Sequence, residues 1–234
     1  MKRIADRLRS LDGTRLCLPN ASPDLTIRIS GISVSLPEDH EDVLRIASGI
    51  SACHGYFRLF GLGCSNCTDL VSWNDMQTWK FAWPGDLEAY LSFGETGWGD
   101  QYCYRLDELS MGDASVFLLD AFEMQAERIA SGFSEFMHRE FIRQAEEPYD
   151  SMTRQALAGI GPLSWSEHVT FIPPLLFGIE EDIGHVHKTD ARAAMTVNGD
   201  IAREMREESG RVPESLQTYE DEKGRIRVHV RWRA

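Results

Sequence analysis

Thiols and imidazoles are the residues of this chain that most invite chemistry. Cys64-Ser-Asn-Cys67 is a C-x-x-C pair, preceded by Cys53 and His54 and followed by Cys103. A tetrahedral zinc site takes four such ligands, and Cys53, His54, Cys64 and Cys67 would supply them. The second C-x-x-C that would make the pattern specific is missing. A thioredoxin-like context is missing too, which disfavours a redox dithiol. His185-Val-His187 places two imidazoles on one strand face, near His168 and Glu180-Glu181-Asp182, but a third ligand at a recognisable spacing is lacking. Reduced thiols and exposed histidines explain both groups without a metal. The sequence contains neither G-x-S-x-G nor H-E-x-x-H, and no cysteine is paired with an identifiable base. The expectation is therefore a protein without catalytic residues or a cofactor.

Gly94-Glu-Thr-Gly97-Trp-Gly99-Asp100 has the glycine density of a phosphate loop but lacks its Lys-Ser/Thr. It lies between two short aromatic runs, Ala89–Phe93 and Gln101–Arg105, which is hairpin logic. The glycines then serve a tight turn that uses positive φ angles. Glu95, Trp98 and Asp100 become candidates for an exposed contact patch, with Tyr102 beside them. An aromatic ring among carboxylates suits recognition of a basic surface.

Charge supports that direction. The chain of 234 residues has a formal net charge of −13, and residues 38–150 hold 21 acidic against 7 basic side chains. The rest of the chain is close to neutral. An acidic field repels nucleic acid and speeds encounter with basic partners. The segment Lys223–Arg233 is basic instead, and alternation puts Arg225, Arg227, His229, Arg231 and Arg233 on one strand face. That face is expected to meet water or the protein's own acids.

No apolar run has the length of a membrane span, and the first residues lack the apolar centre of a secretory signal. The five cysteines are not a disulfide framework. The expected location is the cytoplasm.

These residues must be positioned by short strands interspersed with helices. Helices are expected over 1–11, from Pro37 to Gly49, from Phe122 to Ala145, and around Asp190 to Glu208, where Asn198-Gly199 is a potential break. Strands are expected at Leu25–Ile29, Tyr56–Phe60, Val116–Leu119 and His168–Leu176, with a final hairpin of Leu216–Tyr219 and Arg225–Trp232. Without regular βαβ alternation the fold class is α+β, with a mainly antiparallel central sheet flanked by helices. The chain divides into residues 1–35, a core of 36–149, and an α+β extension of 150–234.

The order of motifs across residues 36–145 resembles the SUKH superfamily, which includes a yeast regulator of cell-wall synthesis. The resemblance lies in Leu36-Pro37 opening a helix, Leu59-Phe60-Gly61 ending a strand, Leu91-Ser-Phe-Gly94 before Gly97, Gly99 and Asp100, a strand ending in Asp120, and Ile129-Ala-Ser-Gly-Phe133-Ser-Glu-Phe136. It implies a central sheet flanked by helices, and a protein partner. Many bacterial members are immunity proteins that bind and neutralise toxins, often nucleases, and fungal members are regulatory scaffolds. No catalytic set comes with the family. Two other readings stay open: a metal-dependent enzyme using the Cys or His ligands above, and a regulatory scaffold that forms homo-oligomers through its carboxy-terminal hairpin.

Overall fold

The computed structural model describes residues 2–19, 25–29, 31–177, 179–208 and 210–233. The chain begins with α1 (Lys2–Ser10), β1 (Arg15–Leu16), β2 (Ile27–Ile29), β3 (Ile32–Val34) and α2 (Glu38–Ile46). Next come β4 (Ile50–Ala52), β5 (Phe57–Leu59), α3 (Leu70–Trp73), β6 (Tyr90–Thr96) and β7 (Gln101–Arg105). α4 (Leu106–Ser110), β8 (Val116–Leu119) and β9 (Ala126–Ala130) precede α5 (Phe133–Phe136), which runs through a π-helical turn into α6 (Ile142–Glu146). The last elements are α7 (Ser151–Ile160), β10 (Glu167–Phe171), β11 (Val186–Asp190), α8 (Ala191–Glu207), β12 (Pro213–Glu220) and β13 (Ile226–Trp232).

Seven strands form an antiparallel sheet in the order β1-β4-β5-β6-β7-β8-β9, so the fold is α+β, as the sequence predicts. The central strands are covered on both faces: nearly every residue of β5, β6 and β7 is buried. On one face Phe93 meets Tyr104, Phe133 and Phe136, and His40 of α2 stacks on Phe133 at 4.2 Å. These rings fill the space between the sheet and its helices. On the other face, Trp73 donates to Gln101 at 2.8 Å, Asn74 to the Ser92 carbonyl at 2.6 Å, and Lys80 to the Tyr90 carbonyl at 2.7 Å.

The segment after residue 150 completes that second face. The Leu163 amide donates to the His54 carbonyl (2.8 Å) and the Val169 amide to the Gly97 carbonyl (2.7 Å). One hydrophobic cluster runs from Ile4 to Met195, whereas the β12–β13 hairpin packs on α8 through its own small cluster of Ile201, Val228 and Val230. Gly55 makes the close approach possible. Its φ is +97°, and a Cβ there would sit 2.3 Å from the Leu163 carbonyl oxygen. Gly55→Ala combines a left-handed strain with a backbone clash, and a loss of about 3 kcal/mol is expected in urea unfolding. An unchanged midpoint would show that the carboxy-terminal segment yields without cost.

Three local expectations are corrected. Residues 126–130 form edge strand β9 paired with β8, and the helix expected from Phe122 starts only at Phe133. Ala126, Ile129 and Ala130 fit helical spacing, but Ser131-Gly132 interrupts it, and Gly132 has fully extended φ and ψ. The stretch Ser151–Ile160, not assigned to an element from sequence, is helical, with Asp150 accepting from the Met152 and Thr153 amides. Asn198-Gly199 does not break α8, because Gly199 clears the Trp83 ring, which would lie 2.7 Å from a Cβ. The basic face of β13 is divided. Arg227 is buried on the Asp200 carboxylate and stacks over Phe81 at 4.8 Å, while His229 and Arg231 face outward.

Candidate functional site

The β6–β7 turn sits at one end of the sheet, where α7 and β10 meet it. Trp98 projects from this turn, donates its indole N–H to Thr153 Oγ1 at 2.8 Å, and stacks on Phe171 of β10 at 5.5 Å between ring centres. Asp150, which caps α7, accepts from the same Thr153 hydroxyl at 2.9 Å. Asp100 closes the turn: Thr96 Oγ1 donates to it at 2.7 Å and the Ala121 amide at 2.9 Å. Burial holds the Asp100 carboxyl above the usual carboxylate range, against those two hydrogen bonds.

Between these elements lies a cleft of about 430 Å³. Its walls include Trp98, Phe171, Tyr102 and Phe122, the last 61% exposed. They also carry four carboxylates, Asp100, Glu140, Asp150 and Glu181, and, among the described residues, no lysine, arginine or histidine. Tyr102 is buried on β7 and lines the cleft. Burial, then Glu140 and Asp100, push its acidity well below that of a free phenol, so the hydroxyl stays protonated. Aromatic faces, a phenol and several carboxylates around one cavity suit a cation with N–H donors, such as a guanidinium or an ammonium.

Of the predicted contact residues, Trp98, Asp100 and Tyr102 converge on this cleft. Glu95 does not. It is fully buried, and one carboxylate oxygen lies 3.0 Å from Arg58 Nη2, a charge contact outside hydrogen-bond geometry. The other oxygen contacts His168 Nε2 at 3.0 Å and Gln101 Nε2 at 3.3 Å. The Arg58 guanidinium also donates to the carbonyls of Ser164 (2.8 Å) and Glu167 (2.9 Å). Burial opposes the Glu95 charge, but Arg58 and His168 outweigh it and hold its carboxyl below the usual range. This enclosed network positions the sheet against the carboxy-terminal segment and offers no atom to a ligand. Glu95 is thus a structural residue, because the face it occupies is covered by a segment far away in sequence.

The expected metal ligands separate as well. Cys53 is a core residue and does not join Cys64 and Cys67, whose sulfurs instead approach Cys17. His185 lies in a 3₁₀ turn before β11, and His187 is exposed on that strand. Among the described residues, neither belongs to a group of three or more convergent ligands. Phe171, Glu140, Asp150 and Glu181 were not foreseen as cleft residues. The buried pairing of Arg58, which lies outside the cleft, is legible in the sequence, since a lone charge in the apolar run Tyr56–Phe60 demands a partner.

No family model matches the chain, and no curated protein matches it in sequence. Among solved structures, it is similar to the crystal structure of Atu4351 from Agrobacterium tumefaciens, with a TM-score of 0.51 and 13% identity over 97% of this chain and 96% of that one. The likeness concerns the fold and spans the carboxy-terminal segment as well as the sheet. Among the described residues, no helix is long and apolar enough to cross a membrane.

Proposed function

We propose that this chain is a non-catalytic protein-binding module of the cytoplasm, and that it neutralises a toxin as an immunity protein does. The observation that carries the reading is the cleft beside Trp98, with aromatic walls, four carboxylates and, among the described residues, no basic side chain. Such a cleft is a receptor for a lysine or arginine presented by a basic protein surface, for example that of a nuclease domain. The acidic excess of residues 38–150 adds steering of the same sign. The resemblance of residues 36–145 to the SUKH superfamily points in the same direction.

The test is growth of cells expressing a toxin encoded beside this gene, with and without this chain. Protection and a co-purifying complex are expected. The double substitution Glu140→Gln/Glu181→Gln removes two cleft charges from side chains that are not fully buried. It should weaken the complex at least tenfold (about 1.4 kcal/mol) and lessen its salt sensitivity. Absence of both complex and protection would reject the reading. A complex indifferent to the double substitution would move the interface elsewhere.

A further inference from the structure

Three of the five cysteines are not used as core residues. Cys53 and Cys103 belong to the hydrophobic cluster, whereas Cys17, Cys64 and Cys67 are half-exposed and lie outside it. Their sulfur atoms all lie within 4.8 Å of one another. The backbone enforces this meeting. Cys17 follows β1 and is held beside the 61–69 loop by two hydrogen bonds, its amide to the Gly49 carbonyl (2.9 Å) and the Ser48 amide to its carbonyl (2.7 Å). The loop bearing Cys64 and Cys67 is closed at its neck by Gly61 N–H to the Thr68 carbonyl at 3.0 Å, and by Gly63 N–H to the Asp69 carboxylate at 2.9 Å.

Glycines clear the space around the sulfurs. A Cβ at Gly61 would lie 2.8 Å from Cys67 Sγ and 2.4 Å from the Ser48 carbonyl oxygen, and one at Gly49 would lie 2.9 Å from Cys67 Sγ. The two glycines thus leave room for the Cys67 sulfur beside the Ser48 carbonyl and the Trp165 ring. Cys67 Sγ donates to the Ser48 carbonyl at 3.0 Å.

We propose that Cys17, Cys64 and Cys67 form a three-thiolate site for a thiophilic divalent cation, zinc in the first instance, with its fourth position open to solvent. Zinc–sulfur bonds of about 2.3 Å at tetrahedral angles put the sulfurs about 3.8 Å apart. Sulfurs that all lie within 4.8 Å of one another are close enough to be drawn onto one such ion. Binding releases three protons from the three thiols and leaves a singly negative centre. The cation would bind the chain after β1 to the loop after β5. The site differs from the Cys53, His54, Cys64 and Cys67 set that sequence spacing suggests, because Cys17 reaches the C-x-x-C pair from a distant segment and Cys53 does not.

Cobalt(II) titration of the reduced full-length chain tests the assignment. One equivalent should produce sulfur-to-cobalt charge-transfer absorption and tetrahedral d–d bands, both removed by zinc. Cys17→Ser, Cys64→Ser and Cys67→Ser should each weaken binding at least tenfold, while Cys53→Ser and Cys103→Ser leave it unchanged. Alkylation followed by mass spectrometry is the second readout on the unmodified chain, and zinc should protect these three thiols and no others. Absence of the charge-transfer band, or full affinity in Cys17→Ser, would overturn the proposal. So would a disulfide joining two of the three in protein isolated without reductant.

Discussion

Replacing Glu95 with alanine should destabilise the fold by about 3–5 kcal/mol, the range found when one member of a buried ion pair is removed. Arg58 and Glu95 are both fully buried, so solvent cannot take over the charge left behind. The Arg58 guanidinium would keep the Ser164 and Glu167 carbonyls but lose its contact with the Glu95 carboxylate, His168 would lose its Glu95 partner, and Gln101 would keep only its bond to the Gly99 carbonyl among the described residues. For a chain of this size the expected fall in Tm is roughly 10 °C. Glu95→Gln preserves the shape but not the charge and should lose most of the same stability. The double substitution Arg58→Met/Glu95→Gln removes both charges and should be less damaging than the two single losses added together. Urea unfolding of the four proteins measures this coupling. Strictly additive losses would mean that the two side chains do not sense each other.

Acid should weaken the protein well before most carboxylates are protonated. His40 is enclosed by Phe93, Tyr104 and Phe133, with Tyr104 Oη 3.1 Å from its Nδ1. Burial lowers its pKa from 6.5 to about 3. As pH falls below 6.5 the unfolded chain takes up a proton that the native chain refuses, so stability declines towards acid. The slope approaches about 1.4 kcal/mol per pH unit and flattens near pH 3, for a total of roughly 4–5 kcal/mol. Glu95 adds to the loss at the lower end. Its native pKa is depressed, so its contribution is complete above its unfolded pKa and vanishes as pH falls through the native one. Unfolding free energies of the wild type and His40→Phe between pH 4 and 7 provide the measurement. The variant should show a shallower curve, and parallel curves would refute the assignment to His40.

What could be read in advance follows from how locally each feature is encoded. The β6–β7 hairpin was legible because its glycines interrupt two aromatic runs, and α2 because Pro37 and five following acidic or imidazole side chains mark a helix start. β9 was misread because five residues with two alanines and an isoleucine satisfy either period. Trp98, Asp100 and Tyr102, expected on an exposed patch, do lie together at the end of the sheet because a turn carries its side chains there, but Tyr102 is buried and Asp100 closes the turn. Glu95 failed for the converse reason. Strand alternation tells which residues share a face but not whether that face meets water, and its cover, Ser164 to His168, comes from about seventy residues later. Cys17 was overlooked for the same cause, since β1 pairs with β4 across the whole of α2.

The late arrival of that cover bears on how the protein is made. Residues 36–149 contain Arg58 and Glu95 but lack the Ser164 and Glu167 carbonyls and the His168 ring that help enclose them. A nascent chain translated only as far as Asp150 has the strands of its sheet, yet must leave that face hydrated. The final closure waits until residue 168 has cleared the ribosome, so synthesis places the charged centre of the sheet among the last parts to dry.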